Sequence, residues 1–147
     1  MKRPRMLCGV LAALALSGVT ACAENQQDQA GKNGVTYASS EKISYTERMA
    51  GASAGAVWGN PEQGAHSAFT KFAPGFDAGM HSHTNDLTLV VLNGAYLYRD
   101  EAGEKRVTRG EFLRIPGGHK HWSGGDKNEG ALFYQHGTGK FDLVPAK

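Results

Sequence analysis

From Ala56 onward the chain is cut into short runs rich in Val, Phe, Tyr, Leu and Thr, each closed within a few residues by Gly, Pro, Asn or Asp. Runs this brief cannot make stable helices, and their spacing suits strands joined by tight turns, as in all-β sandwiches and barrels. The expected strands are Ala56–Gly59, His66–Ala73, Met80–His83, Leu87–Leu92, Ala95–Arg99, Lys105–Thr108, Glu111–Ile115, His121–Ser123, Ala131–His136 and Phe141–Val144. The 20 glycines among 147 residues fit so many turns. "LTLVVLN" is apolar on both alternating faces, so a strand there should be covered on both sides. "YLYRDEAGEKRV" should turn outward through Asp100 to Gly103 as a hairpin with a charged tip.

The N-terminal end has a different character. Residues 1–23 combine a basic start (Lys2, Arg3, Arg5), an apolar run from Met6 to Leu16 and a small-residue exit, the pattern of a secretory signal. The apolar run is too short for a permanent membrane span. Val19-Thr20-Ala21-Cys22 fits lipoprotein processing, in which Cys22 is acylated and becomes the new N-terminus, and Ala21-Cys22-Ala23 fits ordinary signal cleavage. The polar stretch after it would serve as a flexible tether. Residues 24–54 read as linker and N-terminal arm, with 39–49 either a short capped helix or irregular, and residues 55–147 as one domain.

Loss of the signal leaves 13 basic against 14 acidic residues, a net −1 in place of +2, so no basic surface for nucleic acid is expected. Cys8 leaves with the signal and Cys22 stands alone, so no disulfide is available and the domain depends on its core, helped by any ion or ligand it holds. The expected location is the periplasm, either free or as a membrane-anchored lipoprotein.

Two clusters carry chemistry. In "GMHSHTND", His81 and His83 share one face of a strand, where two imidazoles can meet one ion. In "GEFLRIPGGHKHW", a strand ends at Pro116, turns through Gly117 and Gly118 and delivers His119 and His121. His121 is the preferred third ligand, with His119 of the same parity as its competitor. Asp86 should point away from the pair as a turn acid. Tyr96, Tyr98, Trp122, Phe133 and Gln135 are candidates for a pocket wall, Tyr96 and Gln135 for contact with a substrate, while His66 and His136 read as structural.

Gly75-x5-His81-x-His83-x3-Leu87-x6-Gly94 and Gly110-x5-Pro116-x-Gly118-x2-His121 resemble the two motifs of the cupin superfamily, in order and at full spacing. The resemblance covers about residues 55–144 and implies a jelly-roll β-barrel with its site in the barrel mouth. It also implies metal ligands at His81, His83 and His121. The glutamate that often completes the first motif is absent, its place taken by Leu87 or Thr88. Three neutral imidazoles would leave the charge of a divalent transition metal (Fe, Zn or Cu) unneutralised and a coordination position open, which favours an anionic or chelating small-molecule ligand. Two functions fit: a metal-dependent dioxygenase of a small compound, or a cupin that binds or senses a ligand or metal without turnover. The resemblance further implies a homodimer, for which residues 36–55 are available.

Overall fold

The computed structural model describes residues 34–146, all of it strand, turn and loop. The signal, Cys22 and the start of the linker lie outside the described residues. Ten strands follow in order: β1 Thr46–Met49, β2 Ala52–Gly59, β3 His66–Phe72, β4 Asp77–Ser82, β5 Leu87–Asp100, β6 Gly103–Thr108, β7 Phe112–Ile115, β8 His121–Gly125, β9 Ala131–Gly137 and β10 Val144–Pro145. Every pairing is antiparallel. The path β1-β2-β3-β9-β5-β8-β4-β10, with β6 and β7 also on β5, curls into the jelly roll that the cupin resemblance implies.

Three local expectations need correction. Residues 39–49 contain no helix; a turn at Ser40–Lys42 leads into β1, which pairs with β2 as an exposed edge. The separate strands expected at Leu87–Leu92 and Ala95–Arg99 are one strand, β5, because the register shift between Val91 and Asn93 bends the chain without breaking its ladder. That bend lets β5 serve two sheets, pairing β7 before it, β6 and β8 after it, and β9 on through it as far as Gly94. At the C-terminal end, the expected strand Phe141–Val144 is reduced to its last residue: β10 is Val144–Pro145, paired with Ser82 and His81 of β4.

Alternation decides what the bent strand buries. Leu87, Leu89 and Val91 are buried, whereas Thr88, Val90 and Leu92 on the other face are half-buried, so the double cover expected for "LTLVVLN" is complete on one side only. Leu89, Val91, Tyr96, Tyr98, Val107, Ile115, Ala131 and Phe133 form the core. The Asp100–Gly103 hairpin forms as expected, with Asp100 paired to Gly103 and its Oδ1 accepting from Ala102 N at 2.9 Å.

Asp86 is the turn acid its parity suggests. Its carboxylate accepts from Arg114 Nη2 at 2.5 Å and from Gly117 N at 2.9 Å, and its backbone carbonyl accepts from Thr138 N. It thereby ties three loops together beside the histidines. The Gly117 amide, then the Arg114 guanidinium, hold its carboxyl below the ordinary carboxylate range. A folded pKa below the unfolded one means stability that is present above the carboxylate range and lost as pH falls through the lowered folded value. Asp86→Asn should therefore melt below the wild type at neutral pH, and the gap should close in acid; a gap independent of pH in paired melts would contradict this role.

Candidate metal centre

His81 and His121 are direct cross-strand partners on β4 and β8, with ring centroids 4.3 Å apart. His83 lies just past the end of β4 and returns to the same side, 5.0 Å from His81 and 5.4 Å from His121. One ligand nitrogen from each falls within 4.8 Å of the others, and all three residues are buried. Strand pairing brings the His-x-His pair and the single histidine of the second cluster together.

The second ring nitrogens explain how the site is aimed. His81 Nδ1 lies 2.9 Å from Gly79 O, His83 Nδ1 2.6 Å from Asp142 O, and His121 Nδ1 3.0 Å from His119 O. A carbonyl only accepts, so each Nδ1 carries the hydrogen and donates it, leaving each Nε2 as a bare lone pair. This is how metal-ligating imidazoles are commonly oriented. His121 Nε2 is buried without a protein partner, a rare state for a polar atom and one that an ion would relieve.

Burial keeps the cluster neutral. It lowers the pKa of His81 and His83, against the opposing pull of their backbone carbonyls, and takes His121 down to about 4, helped by the neighbouring histidines. At neutral pH all three are therefore unprotonated and competent to ligate. The donor set suits Zn, Cu, Ni or Fe rather than Mg or Ca. Among the described residues no carboxylate joins it, and Leu87 is buried and apolar at the cavity wall.

Supporting residues fix the frame. Asp142, whose carbonyl orients His83, accepts from Thr84 N at 2.8 Å and from Thr84 Oγ1, while Gly118 N donates to His83 O at 2.7 Å. Tyr98 stacks on His121, 5.5 Å between centroids and 18° from parallel, and donates its hydroxyl to Asp100. His119 is not a competitor of His121: its Nε2 faces Asp100 Oδ2 at 3.0 Å on the outer surface, and it contributes only its carbonyl.

A cavity of about 350 Å³ opens beside His81 and His83, which line it, with His121 buried behind them. Of the wall residues expected, Tyr96, Phe133 and Gln135 line it. Tyr98 and Trp122 do not, because Tyr98 is spent on the far side of His121 and Trp122 faces outward, donating Nε1 to Asp77 beneath Arg99. Burial raises the Tyr96 pKa to about 12, so the phenol stays protonated. His136 touches Ser67 and Trp58 and is structural. His66 exceeds that expectation: it lines the cavity, its Nδ1 donates to Gly64 O and Gly139 O, and its buried Nε2 has no partner. The alternation of His66, Ala68, Thr70 and Phe72 along β3 was the available signal for this wall.

Comparison with known proteins places this geometry in a family. The domain described as "Domain of unknown function (DUF4437)" matches residues 35–147. The chain belongs to that family, a cupin-type domain. Three solved structures show the same fold. The polyketide cyclase RemF from Streptomyces resistomycificus is 14% identical, covering 77% of this chain and 86% of its own at a TM-score of 0.66. KdgF from Halomonas sp. is 16% identical, covering 70% and 94%, at 0.58. An RmlC-like cupin from Shewanella frigidimarina NCIMB 400 is 17% identical, covering 69% and 89%, at 0.57. No curated protein matches the sequence.

Proposed function

We propose that this cupin is an exported metal-binding protein in which His81, His83 and His121 hold a divalent transition metal, and that it acts as a metal-dependent dioxygenase of a small chelating or anionic compound. The observation that carries this reading is the shared arrangement of the three imidazoles: each Nδ1 is committed to a backbone carbonyl and each free Nε2 belongs to one buried cluster. An ion bound there supplies a Lewis acid for an anionic ligand and, if redox-active, a centre for oxygen chemistry.

The chain itself supplies orientation and exclusion of water. Gln135 and the protonated Tyr96 are among the few polar groups on a largely apolar wall, with Thr70 and His66. RemF, named a polyketide cyclase, supports enzymatic use of the fold. A second reading, binding or sensing without turnover, is favoured by one observation: among the described residues Glu62, exposed, is the lone carboxylate lining the cavity, so none of them offers a buried general acid or base carboxyl at the cavity wall.

Oxygen consumption separates the two readings. Iron-loaded protein with acetylacetone or cysteine should consume oxygen in step with loss of the compound; tight binding with no consumption would support the binding module instead. The same proposal includes export by the pattern of residues 1–23, an optional lipid anchor at Cys22, and a homodimer through residues 36–55, where β1 is an exposed edge. Light scattering should give twice the chain mass, and a monomer mass at all concentrations would contradict the dimer.

A further inference from the structure

The cavity holds more than an ion and its small ligands need. An apolar cavity of about 150 Å³ accepts a benzene ring, and this one is about 350 Å³. Its shape follows from strand alternation and register. Ala52, Ala54 and Ala56 on β2 stand beside Phe72, Thr70 and Ala68 on β3, and all six line the cavity. Four alanines in this double row keep the wall low where larger side chains would fill the space.

Aromatic edges bound this wall at both ends. Phe72 contacts Phe76, Tyr96 and Phe133 at 4.4, 5.6 and 4.9 Å between centroids. Phe141 stands at the histidine end, 5.3 Å from His83 and 6.1 Å from His66. The charged lining residues, Arg48 and Glu62, are exposed. Two buried polar atoms on lining residues, Thr70 Oγ1 and His66 Nε2, lack partners. An alanine wall between aromatic edges, with few polar atoms, matches a flat apolar body rather than a small hydrophilic acid.

We propose that the cavity takes an amphipathic ligand, a one- or two-ring apolar body laid on the alanine wall with a chelating oxygen head at the histidines, and that Ala68 determines the size of the body admitted. The head rests on the metal reading given above; the body does not. Ala68 is the discriminating position because it is 5% exposed, faces the cavity and is paired on one side with Ala56 and on the other with Gln135. A longer side chain there enters the cavity from β3, an element that carries none of His81, His83 and His121.

The test uses three probes by calorimetry: 1-hydroxy-2-naphthoate as a two-ring chelator, oxalate as a chelator with no body, and 2-naphthol as a body with no chelating pair. Zinc-loaded wild type should bind the naphthoate at least about tenfold more tightly than oxalate, about 1.4 kcal/mol. Ala68→Leu should remove that preference and leave oxalate binding unchanged, which also shows that the variant is folded; Ala68→Gly should retain it. Equal affinity of the wild type for the naphthoate and oxalate, or an unaltered preference in Ala68→Leu, overturns the proposal. If the protein takes up no zinc, the metal reading fails separately and 2-naphthol decides: binding to wild type that Ala68→Leu loses upholds the apolar body, and no binding to wild type overturns it.

Discussion

Replacing His121 with alanine is expected to lower metal affinity on the order of a hundredfold or more, while replacing His119, two residues away, leaves it unchanged. Loss of a group that merely orients a ligand typically costs about 10- to 100-fold, and loss of the ligand itself costs at least as much. His121 is fully buried, opposite His81, with Nε2 free of any protein partner. His119 carries the same ring on the same turn, but aims it at Asp100 on the surface. The contrast between the two variants, read by competition with a chelating dye, separates ligation from general loss of imidazole. Similar losses in both would return the site to the ambiguity of the sequence, where parity alone allows either histidine.

The second large effect concerns the fold and lies away from the site. Gly130 has φ of +65°, and a Cβ placed on it would run into the Phe72 backbone carbonyl, which cannot swing aside as a flexible side chain can. Its own carbonyl accepts from Ala95 N at 3.0 Å, where β5 passes from one sheet to the other. Gly94, facing it, also has positive φ, and a Cβ there would meet the Gly130 carbonyl. A left-handed backbone costs a non-glycine residue roughly 1–2 kcal/mol before any clash is counted. Gly130→Ala should therefore destabilise the domain by several-fold more than an exposed alanine substitution, about 3 kcal/mol or greater in denaturant titration. A change within about 0.5 kcal/mol, the range of ordinary surface substitutions, would show that β5 does not need this close approach.

What the sequence reveals about this molecule follows from which physical signal each residue carries. Strand positions are legible because Gly, Pro, Asn and Asp punctuate the apolar runs, and the histidine clusters are legible because His-x-His on a strand shares a face. The continuity of β5 is hidden, since Asn93 and Gly94 resemble a turn; only the pairing of Asn93 with Leu132 and Gly94 with Ala131 shows that the ladder continues through them. The choice of His121 over His119 is settled by the register with His81, a long-range fact that local parity does not contain. The roles of Asp142 and Phe141 were beyond reach for the same reason. They act on His83 across 59 and 58 positions of sequence, through a C-terminal segment whose strand character is confined to Val144–Pro145. Tyr98 and Trp122 read as pocket residues because they are aromatics on strands next to the site, yet their polar ends find Asp100 and Asp77 and hold them elsewhere.

The most direct test of the central claim is the metal content of the untagged protein, measured by mass spectrometry alongside His81→Ala and His121→Ala. The three-histidine site predicts about one equivalent of iron, copper or zinc per chain in the wild type, as three protein ligands with one open position would hold, and background levels in both variants. No metal in the wild type, and none taken up on reconstitution with each of those ions, would contradict it and leave the histidines as wall residues of a metal-free binding cavity.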